Sequence, residues 1–237
     1  MKKHETLLAK TNKASEQLWP EMTLVGHTEQ VLNAAVVILD IFRQSGPPEV
    51  IEKHWRRFSQ LVVVAAGLHD IGKATNVFQG MLTGDNLLRR KMHPVRHEVL
   101  SALLIAHMEN PLAAWLRTAL RNWGENFHWA VSWVAGGHHL KLHRDQPHLK
   151  KATDRLVRLQ GVPREYVFMG AHPDLRDIVG LTAKWGQLEA DLPELSDISI
   201  SLDEFDDAGP SLGLIVDGYV ERSVQLSSIL SEEESVT

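Results

Sequence analysis

Leu61-Val62-Val63-Val64-Ala65-Ala66-Gly67-Leu68-His69-Asp70-Ile71-Gly72-Lys73-Ala74 is an apolar run that ends abruptly on an imidazole, a carboxylate and, one turn on, an ammonium. The β-branched residues at its start favour a strand. The Ala-Ala-Gly-Leu-His that follows favours a helix, and a largely buried helix over Trp55 to His69 is expected. Neighbouring side chains on a helix point about 100° apart. His69 and Asp70 can therefore converge on one ion only if the helix ends there and the backbone turns, a task assigned to Gly72. An Asp has two oxygens, so Asp70 can bridge two ions about 3.5–4 Å apart, as a two-metal hydrolase requires.

Four further islands carry metal-binding side chains: Gly26-His27-Thr28, Arg96-His97-Glu98, Gly136-Gly137-His138-His139 and Val216-Asp217. The order is His, His-Asp, His, a His pair, then Asp. It combines neutral imidazoles suited to borderline divalent ions with carboxylates that balance charge and bridge. The two glycines before the His pair let backbone approach closely. The remaining histidines, including His93, His107, His128 and His172, belong to no such island and are expected at the surface or in local hydrogen bonds.

The chain has 237 residues, 43% of them hydrophobic, enough to bury a sizeable core. It contains no cysteine, which excludes disulfides, thiolate zinc sites and a cysteine nucleophile. The apolar stretches fall below the roughly 20 residues of a membrane span, and no signal-peptide core follows Met1, so a soluble cytoplasmic protein with no membrane partner is expected. A net charge of −5 excludes a protein that binds nucleic acid through overall basicity. Local basic segments remain at Arg89-Arg90-Lys91 and from His139 to Lys151, either of which could steer a phosphate backbone or form a solvated face.

Helical spacing recurs along the chain. From Thr28 to Arg43 an apolar stripe runs through Val31, Ala34, Ala35, Ile38, Leu39 and Phe42. Further helices are expected through Phe78 and Leu82, at 95–108, from Asn110-Pro111 to Asn122, and at 125–139, 154–160, 174–185 and 212–230. Residues 186–210 read as an acidic, irregular surface excursion. The tryptophans are expected mostly in the core. No stretch alternates as a half-buried strand would. The expectation is one all-α domain over residues 1–237, with its core at about 24–230 and an acidic tail at 231–237.

His69-Asp70-Ile71-Gly72-Lys73 resembles the signature of the HD-domain metal-dependent phosphohydrolases. The longer string HDIGKATNVFQ, His69 to Gln79, resembles more narrowly the HD nuclease of CRISPR-associated type I systems, which occurs fused to a helicase or as a separate protein. GHT at 26–28, RHEVLSALL at 96–104 and GGHH at 136–139 match the same family in order. The resemblance spans roughly His27 to Ser223.

That resemblance implies a single HD-domain helical bundle with a metal site in its core. One ion would be held by His27, His69, Asp70 and a late Asp, the other by Asp70, His97, His138 and His139. Lys73 would lie near the substrate phosphate, so Asp70 and Lys73 are the catalytic candidates. The late Asp is assigned to Asp217, whose upstream apolar run would bury it, with Asp177 as the rival. The cofactors implied are two divalent transition-metal ions. Imidazole-rich ligation favours manganese, iron, cobalt or nickel over magnesium. The substrate implied is single-stranded DNA, cut endonucleolytically and also exonucleolytically. The implied partners are a CRISPR helicase and the RNA-guided surveillance complex. Two other readings stand beside this one. The first is an HD phosphohydrolase acting on a small nucleotide or cyclic nucleotide. The second is a metal-binding partner module that no longer cuts.

Overall fold

A computed structural model describes residues 6–10, 18–84, 96–107, 109–124, 127–137 and 165–201. The helices expected at 154–160 and 212–230, the His138-His139 pair, Asp217 and both basic segments lie outside the described residues.

The long apolar run forms α3 (Trp55–Leu68), which buries Val63, Val64, Ala65, Gly67 and Leu68. Its β-branched residues are helical because three helices enclose them: α1 (Leu24–Gln44), α7 (Phe127–Gly137) and α8 (Pro173–Trp185) all pack on α3. Gly67 is where α3 meets α8. A Cβ on Gly67 would lie 2.2 Å from Thr182 Oγ1, so only glycine fits there. The remaining helices are α2 (Glu49–Lys53), α4 (Asn76–Thr83), α5 (His97–Ala102) and α6 (Pro111–Ala119).

α1 starts where the Thr23 hydroxyl accepts from the Gly26 N–H at 3.0 Å. It buries Leu24, Thr28, Leu32, Ala35 and Leu39. The expected stripe is thus half right: Ala35 and Leu39 face inward, whereas Ile38 is 64% exposed beside Val37 and Ile41. α1 is apolar on two sides, so spacing alone does not select the side that α3 and α8 cover. It is 21 residues long, and an 18-residue window of it has a mean hydropathy of 1.2, long and apolar enough by length and composition to cross a bilayer, contrary to the expectation that no stretch reaches that length.

The expected helix at 95–108 is α5 followed by one π-helical stretch, Leu103–His107. Asn110 closes this corner: its side-chain amide donates to the Leu104 carbonyl at 2.9 Å and its carbonyl caps α6 by accepting from the Ala113 N–H at 3.0 Å. Of the two settings expected for His128, the surface and a local bonding environment, the surface is excluded: it is buried on α7.

The fold is helical as expected, with one small addition. β1 (Glu165–Phe168) pairs antiparallel with β2 (Ile198–Ser201), Glu165 opposite Ser201 and Phe168 opposite Ile198. β2 falls inside the segment read as irregular. Its Ile-Ser-Ile-Ser does alternate, but over four residues, too few to separate a strand from chance. The sheet braces the centre of the molecule. Met169 donates its N–H to the Ala74 carbonyl and Val167 donates to Asn76 Oδ1, both at 2.9 Å, while Tyr166, Phe168 and Ile200 are buried.

The turn after α3 is built differently from the expectation. Asp70 leaves helical geometry (φ −104°, ψ 8°), and Ile71–Lys73 form a 3-10 turn. Gly72 does not supply unusual backbone angles. It supplies the absence of a Cβ: one placed there would sit 2.1 Å from the His97 carbonyl oxygen and 2.7 Å from the Ser101 nitrogen on α5. Gly72→Ala should push α5 away and lower stability by about 1–3 kcal/mol, the usual range for overpacking. A reduced midpoint in urea denaturation checks this.

Candidate metal centre

Four elements bring their side chains to one buried carboxylate. Asp70 is 2% exposed. Its Oδ2 lies 3.1 Å from His27 Nε2 on α1, 3.3 Å from His69 Nε2 at the end of α3, and 2.6 Å from Lys73 Nζ in the turn. Its Oδ1 lies 2.9 Å from His97 Nε2 on α5. The two oxygens therefore address different histidines, which is the disposition a bridging ligand needs. Burying a carboxylate is costly unless it is paired, and here imidazoles and an ammonium surround it.

The donor set fits a divalent metal. One ligand atom each from His27, His69 and Asp70 lies within 4.8 Å of the others. The tautomer of His69 is fixed as well: its Nδ1–H donates to the Ala66 carbonyl at 2.7 Å, leaving the Nε2 lone pair to face Asp70. Metal-ligating histidines are commonly held in this way. His97 has a similar arrangement. The Glu98 carboxylate, 3% exposed, stands 3.5 Å from its Nδ1 and is itself ion-paired with Arg96. Phe78 presents an edge contact to the His97 ring, with centroids 5.3 Å apart.

Of the candidates read from the sequence, His27, His69, Asp70, Lys73 and His97 come together. His138, His139 and Asp217 lie outside the described residues. Asp177 is solvent-exposed on α8 and takes no part in the cluster. Gly136, just before the His pair, brings α7 against α5: a Cβ there would stand 3.2 Å from Ala102 Cβ, whereas one on Gly137 would meet nothing.

Sequence reasoning did not assign roles to the residues that hold the ligands. Ser101 is the chief of these. Its buried hydroxyl accepts from the Gly72 N–H at 2.9 Å and lies 2.8 Å from the His69 carbonyl and 3.0 Å from the His97 carbonyl. One side chain thereby ties the His-Asp turn to α5. Gln79 is the second. Its amide donates to the Lys73 and Leu8 carbonyls at 2.9 and 3.0 Å and accepts from the Leu8 N–H at 2.9 Å. The signals were present, since Phe78-Gln79 and Ser101 sit inside the quoted family strings, but a string does not say which side chain touches which backbone.

Residues 8–202 match the family model described as Cas3, HD domain. Over 116 residues the chain is 38% identical to a Myxococcus xanthus (strain DK1622) protein described as a CRISPR-associated nuclease/helicase Cas3. That match takes in 47% of this chain and 15% of the relative's length. No solved structure matches the chain.

Ser101→Ala strands the buried Gly72 N–H, which should cost about 1–3 kcal/mol of stability. It should also loosen the ligand-bearing turn and weaken metal binding by about 10–100-fold, as loss of a supporting group does. Thermal denaturation of the metal-free protein and a competitive metal titration measure the two effects separately.

Proposed function

The chain belongs to the Cas3 HD-domain family, and from that premise we propose that it is a metal-dependent nuclease hydrolysing phosphodiester bonds of single-stranded DNA in type I CRISPR interference. The observation that carries this reading is the two-sided approach to Asp70, with His27 and His69 at one oxygen and His97 at the other.

The proposed ligands extend that arrangement. His27, His69, Asp70 and Asp217 would hold one ion; Asp70, His97, His138 and His139 would hold the other. The imidazole-rich set suits manganese, iron, cobalt or nickel better than magnesium, which prefers oxygen ligands. When bound, such a pair supplies an acidified water and charge stabilisation for an in-line displacement at phosphorus.

The chain's own groups do the rest. Asp70 holds the two ligand sets in register. His69, anchored through Ala66, and His97, backed by Glu98, keep their Nε2 atoms turned inward. Lys73, whose Nζ lies 2.6 Å from the carboxylate, is close enough to accompany a phosphate oxygen and offset the negative charge that develops in the transition state. The proposed setting is the cytoplasm. The proposed partners are a CRISPR helicase, which would open duplex DNA, and the RNA-guided surveillance complex.

Linear and circular single-stranded DNA should be cut with manganese, cobalt or nickel present, and chelator should stop cutting. Duplex DNA should be cut poorly without a helicase. Rapid turnover of mononucleotides or cyclic nucleotides with intact DNA would overturn the reading. Asp70→Ala should lose both hydrolysis and metal, a result that metal analysis of the purified variant checks alongside a gel assay. Lys73→Ala should keep its metal yet lose about 10²–10³-fold in rate, the usual effect of removing one transition-state donor. His139→Ala should retain about one ion per chain, read by metal titration, with little cutting.

A further inference from the structure

One side of α1, carrying Leu24, Thr28, Leu32, Ala35 and Leu39, is buried where α3 and α8 pack on it. A second side is apolar too. It carries Val31, Ala34, Ile38 and Ile41, with Val37 beside them. Ile38 is 64% exposed, Ile41 62% and Val37 57%. A helix on the surface of a domain ordinarily turns polar residues to water on its outer side. Val31, Ala34, Ile38 and Ile41 instead step by three and four, the seam by which one helix lies along another. A contiguous exposed apolar patch of this kind marks an interaction surface.

The chain itself holds a segment with the matching pattern. Leu212, Val216, Tyr219, Leu226 and Leu230 follow the same alternation of three and four, with Ser223 at the position between Tyr219 and Leu226. On a helix they share one face. Residues 212–230 would make about 28 Å of helix, enough to overlie the roughly 15 Å from Val31 to Ile41. A helix of this length gains its stability by burying such a face.

The segment is also within reach. Ten residues, 202–211, follow β2 before Leu212, and extended they span about 33 Å. The sheet stands near the start of α1. β1 is bonded to Ala74 and Asn76, Gln79 on the same α4 holds Leu8, and Leu8 bridges to Thr23 at the head of α1.

We propose that residues 212–230 form a helix that docks on the outer side of α1, laying the Leu212–Leu230 seam against Val31, Ala34, Ile38 and Ile41. His27 lies one turn before Val31, so the docked helix borders the metal centre at that end. The docking needs neither metal nor substrate, so its failure leaves the nuclease reading untouched.

The chain has no cysteine, and a single introduced thiol therefore reports on cover at one position. In the full chain with chelator, Ile38→Cys should react with a maleimide at least tenfold more slowly than Asn33→Cys, an exposed polar position on the same helix. This protection should not depend on protein concentration. Adding Leu226→Asp should raise the Ile38→Cys rate to that of Asn33→Cys and leave Asn33→Cys itself unchanged. Leu212→Asp, at the other end of the seam, should do the same and serves where Leu226→Asp fails to fold. Equal rates at the two positions in the chain with its seam intact would overturn the proposal and leave the surface to a separate partner. Protection lost on dilution would overturn it in favour of a second copy of the chain, as would protection that survives both Asp substitutions.

Discussion

A carboxylate with 2% of its surface exposed has to be answered by opposite charge or by donors, and the answers to Asp70 come from α1, from the end of α3, from the turn beyond it and from α5. Each partner fixes the position of the element that carries it. His27 ties in the start of α1, and His97 ties in the start of α5. The arrangement therefore joins stability to chemistry. Removing one partner of a buried charge leaves the others exposed to an uncompensated desolvation cost, so the groups that would act on a substrate also hold the surrounding helices in place.

Around that centre the supporting layer is made of short-range fits. Gly72 lets the turn press on the α5 backbone, Ser101 fastens the two together, and β1 is hydrogen-bonded to Ala74 and Asn76 on the far side of the turn. Two separate chain segments thus clamp the five residues His69–Lys73, which carry an imidazole, a carboxylate and an ammonium. Ligands held on rigid elements keep their geometry better than ligands on free loops, and here even the turn is locked from both sides.

The helical character, and the convergence of His27, His69, Asp70 and His97, were legible because they depend on residue type and on spacings of three and four. His27, His69, Asp70 and His97 are separated widely in sequence, yet their order and local context named them. Other features were not legible, for physical reasons. The inward side of α1 depends on what α3 and α8 cover, so Ile38 was placed wrongly. A four-residue strand such as Ile198–Ser201 has too few alternations to stand out, and its partner is 30 positions upstream. Gly72 was recognised as necessary but for the wrong reason, because spacing reveals a turn and does not reveal a neighbouring helix 2.1 Å from a missing Cβ. Ser101 acts on backbone atoms, which leave no mark in sequence.

The strap at Leu7–Ala9 bears on how the chain is made. The Leu7 N–H donates to Asp174 Oδ2 at 2.7 Å across 167 residues, and Leu8 is gripped on both backbone groups by Gln79. Synthesis at 5–20 residues per second separates the emergence of Leu7 from that of Asp174 by roughly 8–33 s. During that interval Leu7, fully buried in the finished protein, has only part of its final enclosure. Leu7 therefore gains this bond only once the ribosome has made α8, although Gln79 can grip Leu8 much earlier.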